Sequence, residues 1–200
     1  TGGTNGAVIV DIVSSSFVNN TATSGGGIFV TTGINGAVIV DIVSSSFVNN
    51  TATSGGGIFV TTGGINGAVI VDITDSTFVN NTATVSGGGI YANSGDNGSV
   101  TVDITDSTFV NNTATVSGGG TYVTTGGTNG AVTVDIVNSS FVNNTATSGG
   151  GIFVTTGING AVIVDITDST FVNNTATVSG GGIYANSGDN GSVTVDITDS

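Results

Sequence analysis

The chain predicts an all-β solenoid: a parallel β-helix of six to seven coils, with about one three-strand coil per 30–32 residues. Three observations carry this. The heptapeptide FVNNTAT begins at Phe17, Phe47, Phe78, Phe109, Phe141 and Phe171, at spacings of 30, 31, 31, 32 and 30 residues. A fixed period of this size belongs to architectures whose repeats bury a core only by stacking on their neighbours. The apolar residues, 37% of the chain, are mostly Val, Ile and Phe, which favour strands. Leu, Glu, Lys and Met are absent, and no window holds apolar residues at a sustained 3.6-residue period, so no helix is predicted. The 35 glycines and the low charge would also suit a disordered segment. Apolar residues at the same place in every repeat argue instead for a packed core. Residues 1–200 read as one solenoid domain, a segment of or a subunit in a longer fibre.

The first strand of a coil is Val100-Thr101-Val102-Asp103-Ile104-Thr105. Its strict alternation puts Val100, Val102 and Ile104 inward and Thr101, Asp103 and Thr105 outward. Other copies keep the inner set, as in Val8, Val10 and Ile12, while the outer position varies between Ile9, Ile39, Ile70 or Ile163 and Thr101, Thr133 or Thr194. The second apolar point is the Phe that opens each heptapeptide. Stacked copies of the second Asn after it (Asn20, Asn50, Asn81, Asn112, Asn144, Asn174) predict a hydrogen-bonded ladder at a corner. The third strand follows the glycines, as in Ile28-Phe29-Val30. Its aromatic slot accepts Tyr at Tyr91, Tyr122 and Tyr184, and a phenol needs a partner or water. The column Phe29, Phe59, Tyr91, Tyr122, Phe153 and Tyr184 is therefore placed outward as an interaction face. Asn-Gly recurs before each alternating strand and predicts a turn. The inserted residues, Val85, Val116 and Val178 and Gly64 and Gly127, are assigned to loops.

Composition narrows the partners. No Lys, Arg or His is present and the net charge is −13, so direct binding of nucleic acid or docking on an anionic membrane is not expected. No run of about 20 apolar residues is present for direct membrane insertion. The absence of sites for trypsin-like cleavage suits an extracellular or cell-surface location.

FVNN followed by GGGI resembles the FxxN and GGA(I/L/V) motifs of polymorphic outer-membrane protein repeats, found in chlamydial-type autotransporters and adhesin-like proteins. Phe17 and Asn20 align with FxxN, and Gly25, Gly26 and Ile28 with GGAI, as do their copies. Gly27 departs from the family's Ala in every copy. The resemblance implies a right-handed β-helix at the cell surface, acting in adhesion or as a stalk, with no catalysis.

Three candidate sites remain. The column Asp11, Asp41, Asp72, Asp103, Asp135, Asp165 and Asp196 is expected on the outer face, with Asp75, Asp106, Asp168 and Asp199 forming a second column. Ca²⁺ bridging adjacent coils through these carboxylates competes with a solvated, screened face. The aromatic column could pack another rod or bind glycan. Asn-Asn-Thr fits the glycosylation sequon at Asn19 and its copies, although a β-helix corner explains the same residues. An enzyme is not expected, because paired Asp residues repeat on several coils with no basic side chain to tune them. The leading expectation is a structural cell-surface fibre or stalk that assembles with itself, end to end or laterally. The alternative is an adhesin module that recognises glycan or a host surface through its aromatic and Thr-rich face. Ice binding through the outward Thr of the alternating strand ranks below both, because Ile interrupts that column.

Overall fold

Residues 3–200 are described by a computed structural model. One interior coil shows how the chain is built. It runs through strands Ala68–Thr74, Thr77–Val79, Thr82–Ser86 and Ile90–Ser94 before the next coil begins at Ser99. Each strand pairs in parallel with its equivalents one coil below and above. The result is four sheets, here called A to D in chain order, of seven, six, five and six strands. Register is like on like: Asp72 faces Asp41 and Asp103, and Phe78 faces Phe47 and Phe109.

A coil thus has four strands where the sequence suggests three. The residues between the alternating strand and the glycines form two short strands, because two corners break the chain there. Asp75 (φ 51°) ends sheet A, and Asn80 (φ 56°) separates sheets B and C. Both adopt the left-handed conformation that Asn and Asp tolerate best among residues with a Cβ. The inserted Val also differs from expectation. Val85 lies inside strand Thr82–Ser86 as a bulge, with register against Thr51–Ser54 shifting between Ala83 and Ser86. A bulge leaves one extra residue unpaired without disturbing the ladder beyond it. The inserted Gly64 lies in the turn before the next strand, where a loop is expected.

The core is a bundle of columns parallel to the solenoid axis. Val69, Val71, Ile73, Phe78, Ile90 and Ala92 supply one coil's share, each at most 1% exposed. The glycines close the space between sheets C and D. Gly55 and its equivalents have φ of 61–70°, which excludes other residues at low cost. At the third glycine a methyl on Gly57 would lie 2.6 Å from Gly89 O and 3.2 Å from Phe78 Cδ1. That contact explains why Gly occupies the place where the resembling motif has Ala: here the backbone lies directly against the Phe stack.

Candidate functional surface

The fold turns each repeated residue into a column, and each column is inward or outward as a whole. The inward aromatic column Phe17, Phe47, Phe78, Phe109, Phe141 and Phe171 stacks with ring centroids 4.6–5.0 Å apart and planes within 4° of parallel. Beside it stands the Asn ladder expected from the sequence. The backbone N–H and Nδ2 of Asn81 both donate to Asn112 Oδ1 at 3.0 Å, and Asn81 Nδ2 also donates to Phe47 O at 2.9 Å. Asn50, Asn81, Asn112 and Asn144 are fully buried, so the ladder satisfies the corner's polar groups where water cannot reach.

Two further ladders are not foreseen by the sequence reading. The N–H of Ser76 donates to Ser107 Oγ at 3.0 Å while Ser76 Oγ donates to Thr74 O at 2.8 Å, and the pattern repeats from Ser15 to Ser200. The signal was present: this Ser is identical in seven copies while the residues around it vary. The Asn-Gly turns also ladder, with Asn66 Nδ2 donating to Asn35 Oδ1 at 3.0 Å. That explains Asn at this turn beyond its left-handed φ of 51–58°.

The column Phe29, Phe59, Tyr91, Tyr122, Phe153 and Tyr184 points outward, as expected, from sheet D. Ile58 and Val60 on either side of Phe59 are fully buried, and Phe29 is 52% exposed. The rings stack at 4.5–5.4 Å with planes 4–26° apart. Along the stack each ring's faces are covered by its neighbours, so solvent meets ring edges. Burial first, then the neighbouring Tyr122, pushes the Tyr91 phenol up to about 12. Burial raises Tyr122 as well, and a hydrogen bond with Thr124 partly offsets it.

The Asp column stands on the outer face of sheet A, with neighbouring carboxylates in strict register from Asp11 to Asp196. Burial and then Asp41 raise the Asp72 carboxyl, while a hydrogen bond with Asp103 works the other way. Burial, then Asp72 and Asp135, raise Asp103, which that same hydrogen bond raises further. Asp75, Asp106, Asp168 and Asp199 sit at the corner after sheet A, all with left-handed backbone. Among the described residues no three acidic side chains converge on one metal-sized point. Ca²⁺ takes six to eight oxygens, and the strand carbonyls between the Asp residues belong to the parallel ladder. The donors available here are carboxylates of neighbouring coils and water.

A shallow groove of about 390 Å³ lies where the turns differ in length, lined by Thr61, Asn93, Ile65 and Asp96 among others. No helix is long and apolar enough to cross a membrane among the described residues.

Comparison with known proteins gives one result. Residues 14–31, 44–61, 75–93, 106–124 and 168–186 match the model of the Chlamydia polymorphic membrane protein repeat. Each matched segment starts at the corner after sheet A and ends on sheet D, so it spans the Phe stack, the Asn ladder and the glycines. The coil beginning at Phe141 keeps the same FVNN and GGGI residues outside those ranges. No curated protein and no solved structure matches the chain significantly.

Proposed function

From a chain that carries polymorphic membrane protein repeats, we propose a structural role at the cell surface: a β-solenoid stalk or fibre that holds its shape by ladder stacking and assembles with itself. The observation that carries this reading is the like-on-like register of all four sheets. The Asp11-type, Asn20-type and Ser15-type columns recur in every coil, and the remaining Asp and Tyr each stand in more than one, so no coil is set apart as a catalytic centre. The reading therefore includes no enzyme activity. The edge strands of a parallel sheet keep unpaired N–H and C=O groups, which template further pairing. Residues 65–107 are identical to 158–200, so an edge formed by either segment accepts the same neighbour.

Electron microscopy of the 200-residue chain tests this, in Ca²⁺ and in EDTA. Unbranched filaments with an axial repeat of about 4.8 Å support a fibre. Their loss in EDTA assigns bridging Ca²⁺ to the Asp column. Short monodisperse rods under both conditions refute self-assembly by this chain.

The outward aromatic column favours a second reading, an adhesin module. Edge-on rings offer apolar contact along a seam rather than open faces on which a sugar ring stacks. Binding to a glycan array that Tyr91→Ala and Tyr122→Ala abolish would establish the module.

A further inference from the structure

The Asn-Gly turns that lead into sheet A come in two lengths, and the difference falls on one backbone N–H. The shorter form is Gly33-Ile34-Asn35-Gly36, with copies at residues 95–98, 157–160 and 188–191. In each, the last glycine donates to the first, as Gly36 N does to Gly33 O, at 3.1–3.2 Å. The longer form carries the inserted glycine, as in Gly126-Gly127-Thr128-Asn129-Gly130. There the Gly130 N–H meets no acceptor among the described residues, and such orphaned N–H groups are rare. The hydroxyl beside it, Thr125 Oγ1, is unpaired as well. The peptide ahead of Asn129 is engaged by the preceding coil instead: Thr128 N–H donates to Asp96 Oδ1 at 2.9 Å. Residues 63–67 have the same extra glycine, and the Gly67 N–H makes no bond of normal geometry. Residues 65–66 still turn as the shorter form does, however, while 127–129 only bend.

Asn35 and Asn129 form a matched pair across this difference. Both are exposed, and both have left-handed backbone, with φ of 52° and 55°. Each side chain makes two ladder bonds. Asn35 donates to Asn5 Oδ1 at 3.1 Å and accepts from Asn66 at 3.0 Å. Asn129 donates to Asn97 Oδ1 at 3.0 Å and accepts from Asn159 at 3.2 Å. What separates them is the N–H of the following glycine, bonded after Asn35 and unbonded after Asn129. That nitrogen is the nucleophile of an intramolecular reaction open to Asn-Gly. It gives its proton to hydroxide and attacks the side-chain Cγ. The bond from Cγ to Nδ2 breaks, ammonia leaves, and a five-membered succinimide closes. Water then opens the ring at either carbonyl, giving Asp or isoaspartate, in which the chain runs through the side-chain carboxyl. The balance is amide plus water to acid plus ammonia, with no oxidant, reductant or metal. Glycine permits ring closure because no Cβ crowds the attacking nitrogen. A hydrogen bond on the N–H holds its proton and its direction, so the closed turns are protected.

We propose that Asn129 is a site of spontaneous self-modification, converting through a succinimide to Asp or isoaspartate faster than the Asn of the closed turns, with Asn66 between them. The new carboxylate still accepts from Asn159 but no longer donates to Asn97. One rung of the ladder opens and the solenoid gains a negative charge at that coil. The reaction needs only the turn, so it does not depend on filament formation. The test is incubation of the folded 200-residue chain at mildly alkaline pH, followed by chymotryptic peptide mapping with tandem mass spectrometry. Cleavage after Phe and Tyr leaves each of these turns in a peptide of distinct sequence. Asn129 is expected to convert about fivefold faster than Asn35, the factor that one net hydrogen bond is worth. In the urea-unfolded chain the two are expected to convert at the same rate. Deletion of Gly127 restores the shorter turn and is expected to bring Asn129 down to the rate of Asn35, with the wild-type circular dichroism spectrum retained. Equal conversion of Asn35 and Asn129 in the folded chain overturns the proposal. So does a difference that persists in urea, which would place the cause in the neighbouring residues rather than in the turn. Fast conversion of Asn129 in the folded deletion variant overturns it as well.

Discussion

The two aromatic columns are stacked by the same register, yet they differ in what holds them. Phe78 and its interior equivalents Phe47, Phe109 and Phe141 are buried between the corner Asn ladder and the third glycine, and their planes agree within 4°. The sheet D column has comparable ring spacings but tilts of up to 26°. Stacking at one strand spacing is therefore a property of the solenoid, imposed on any aromatic repeated in register. What distinguishes the columns is side packing: closed on sheet B, open at the ring edges on sheet D. The closed column should carry stability, and the open one should be free to serve a surface.

Truncation tests that difference most strongly. F109A empties a fully buried site between Phe78 and Phe141 and is expected to cost about 3–5 kcal/mol. Y122A loses two cross-strand pairs at the surface, worth about 1 kcal/mol together. Urea denaturation of both variants reads the comparison directly, and equal losses would erase it. The ladder beside the Phe column should follow the same rule. N112A leaves the N–H and Nδ2 of buried Asn81 without their acceptor and should cost about 1–3 kcal/mol. N97A removes an exposed turn residue, whose side chain accepts from Asn129, and should be close to neutral apart from its left-handed φ of 51°.

The sequence reading recovers the inward and outward phase of both aromatic columns, the Asn20-type ladder and the Asp register, because each rests on a repeated residue whose chemistry differs from its neighbours'. It misses features that depend on backbone geometry. The short strand at Thr82–Ser86 is one of these, since the repeated Asn pair signals a corner without saying that pairing resumes directly after it. The Val85 bulge differs from the expected loop because an insertion by itself does not say whether pairing resumes after it. The Ser15-type ladder was legible only by asking which polar residue never varies among the copies.

One coil departs from the inward columns and offers a smaller test. Thr121 occupies the slot that Ile90 and Ile152 fill in the coils on either side. It is fully buried and its hydroxyl has no partner. T121I restores the column and removes an unpaired polar group, so it is expected to stabilise by on the order of 1 kcal/mol. Thermal melting of the single variant checks it, and a lowered melting temperature would mean that this coil is too narrow for Ile.

The weakest expected effect concerns the charged face, and its sign separates this solenoid from ordinary acid-labile proteins. Asp72 and Asp103 are raised above the usual value of 3.8, mainly by burial and then by neighbouring carboxylates. The folded chain therefore holds protons on these groups more tightly than the unfolded chain does. Their contribution to stability is complete below the unfolded value and is lost as pH rises through the raised folded value. No Lys, Arg or His exists to reverse that trend. The melting temperature should thus fall as pH rises from the ordinary Asp range toward neutrality, and added salt should flatten the change by screening. D103N should flatten it as well, since it removes one charge from the centre of the column. A melting temperature that rises over the same range would show that the carboxylates gain a counter-charge in the folded state, and a bound divalent cation would then be the first partner to seek.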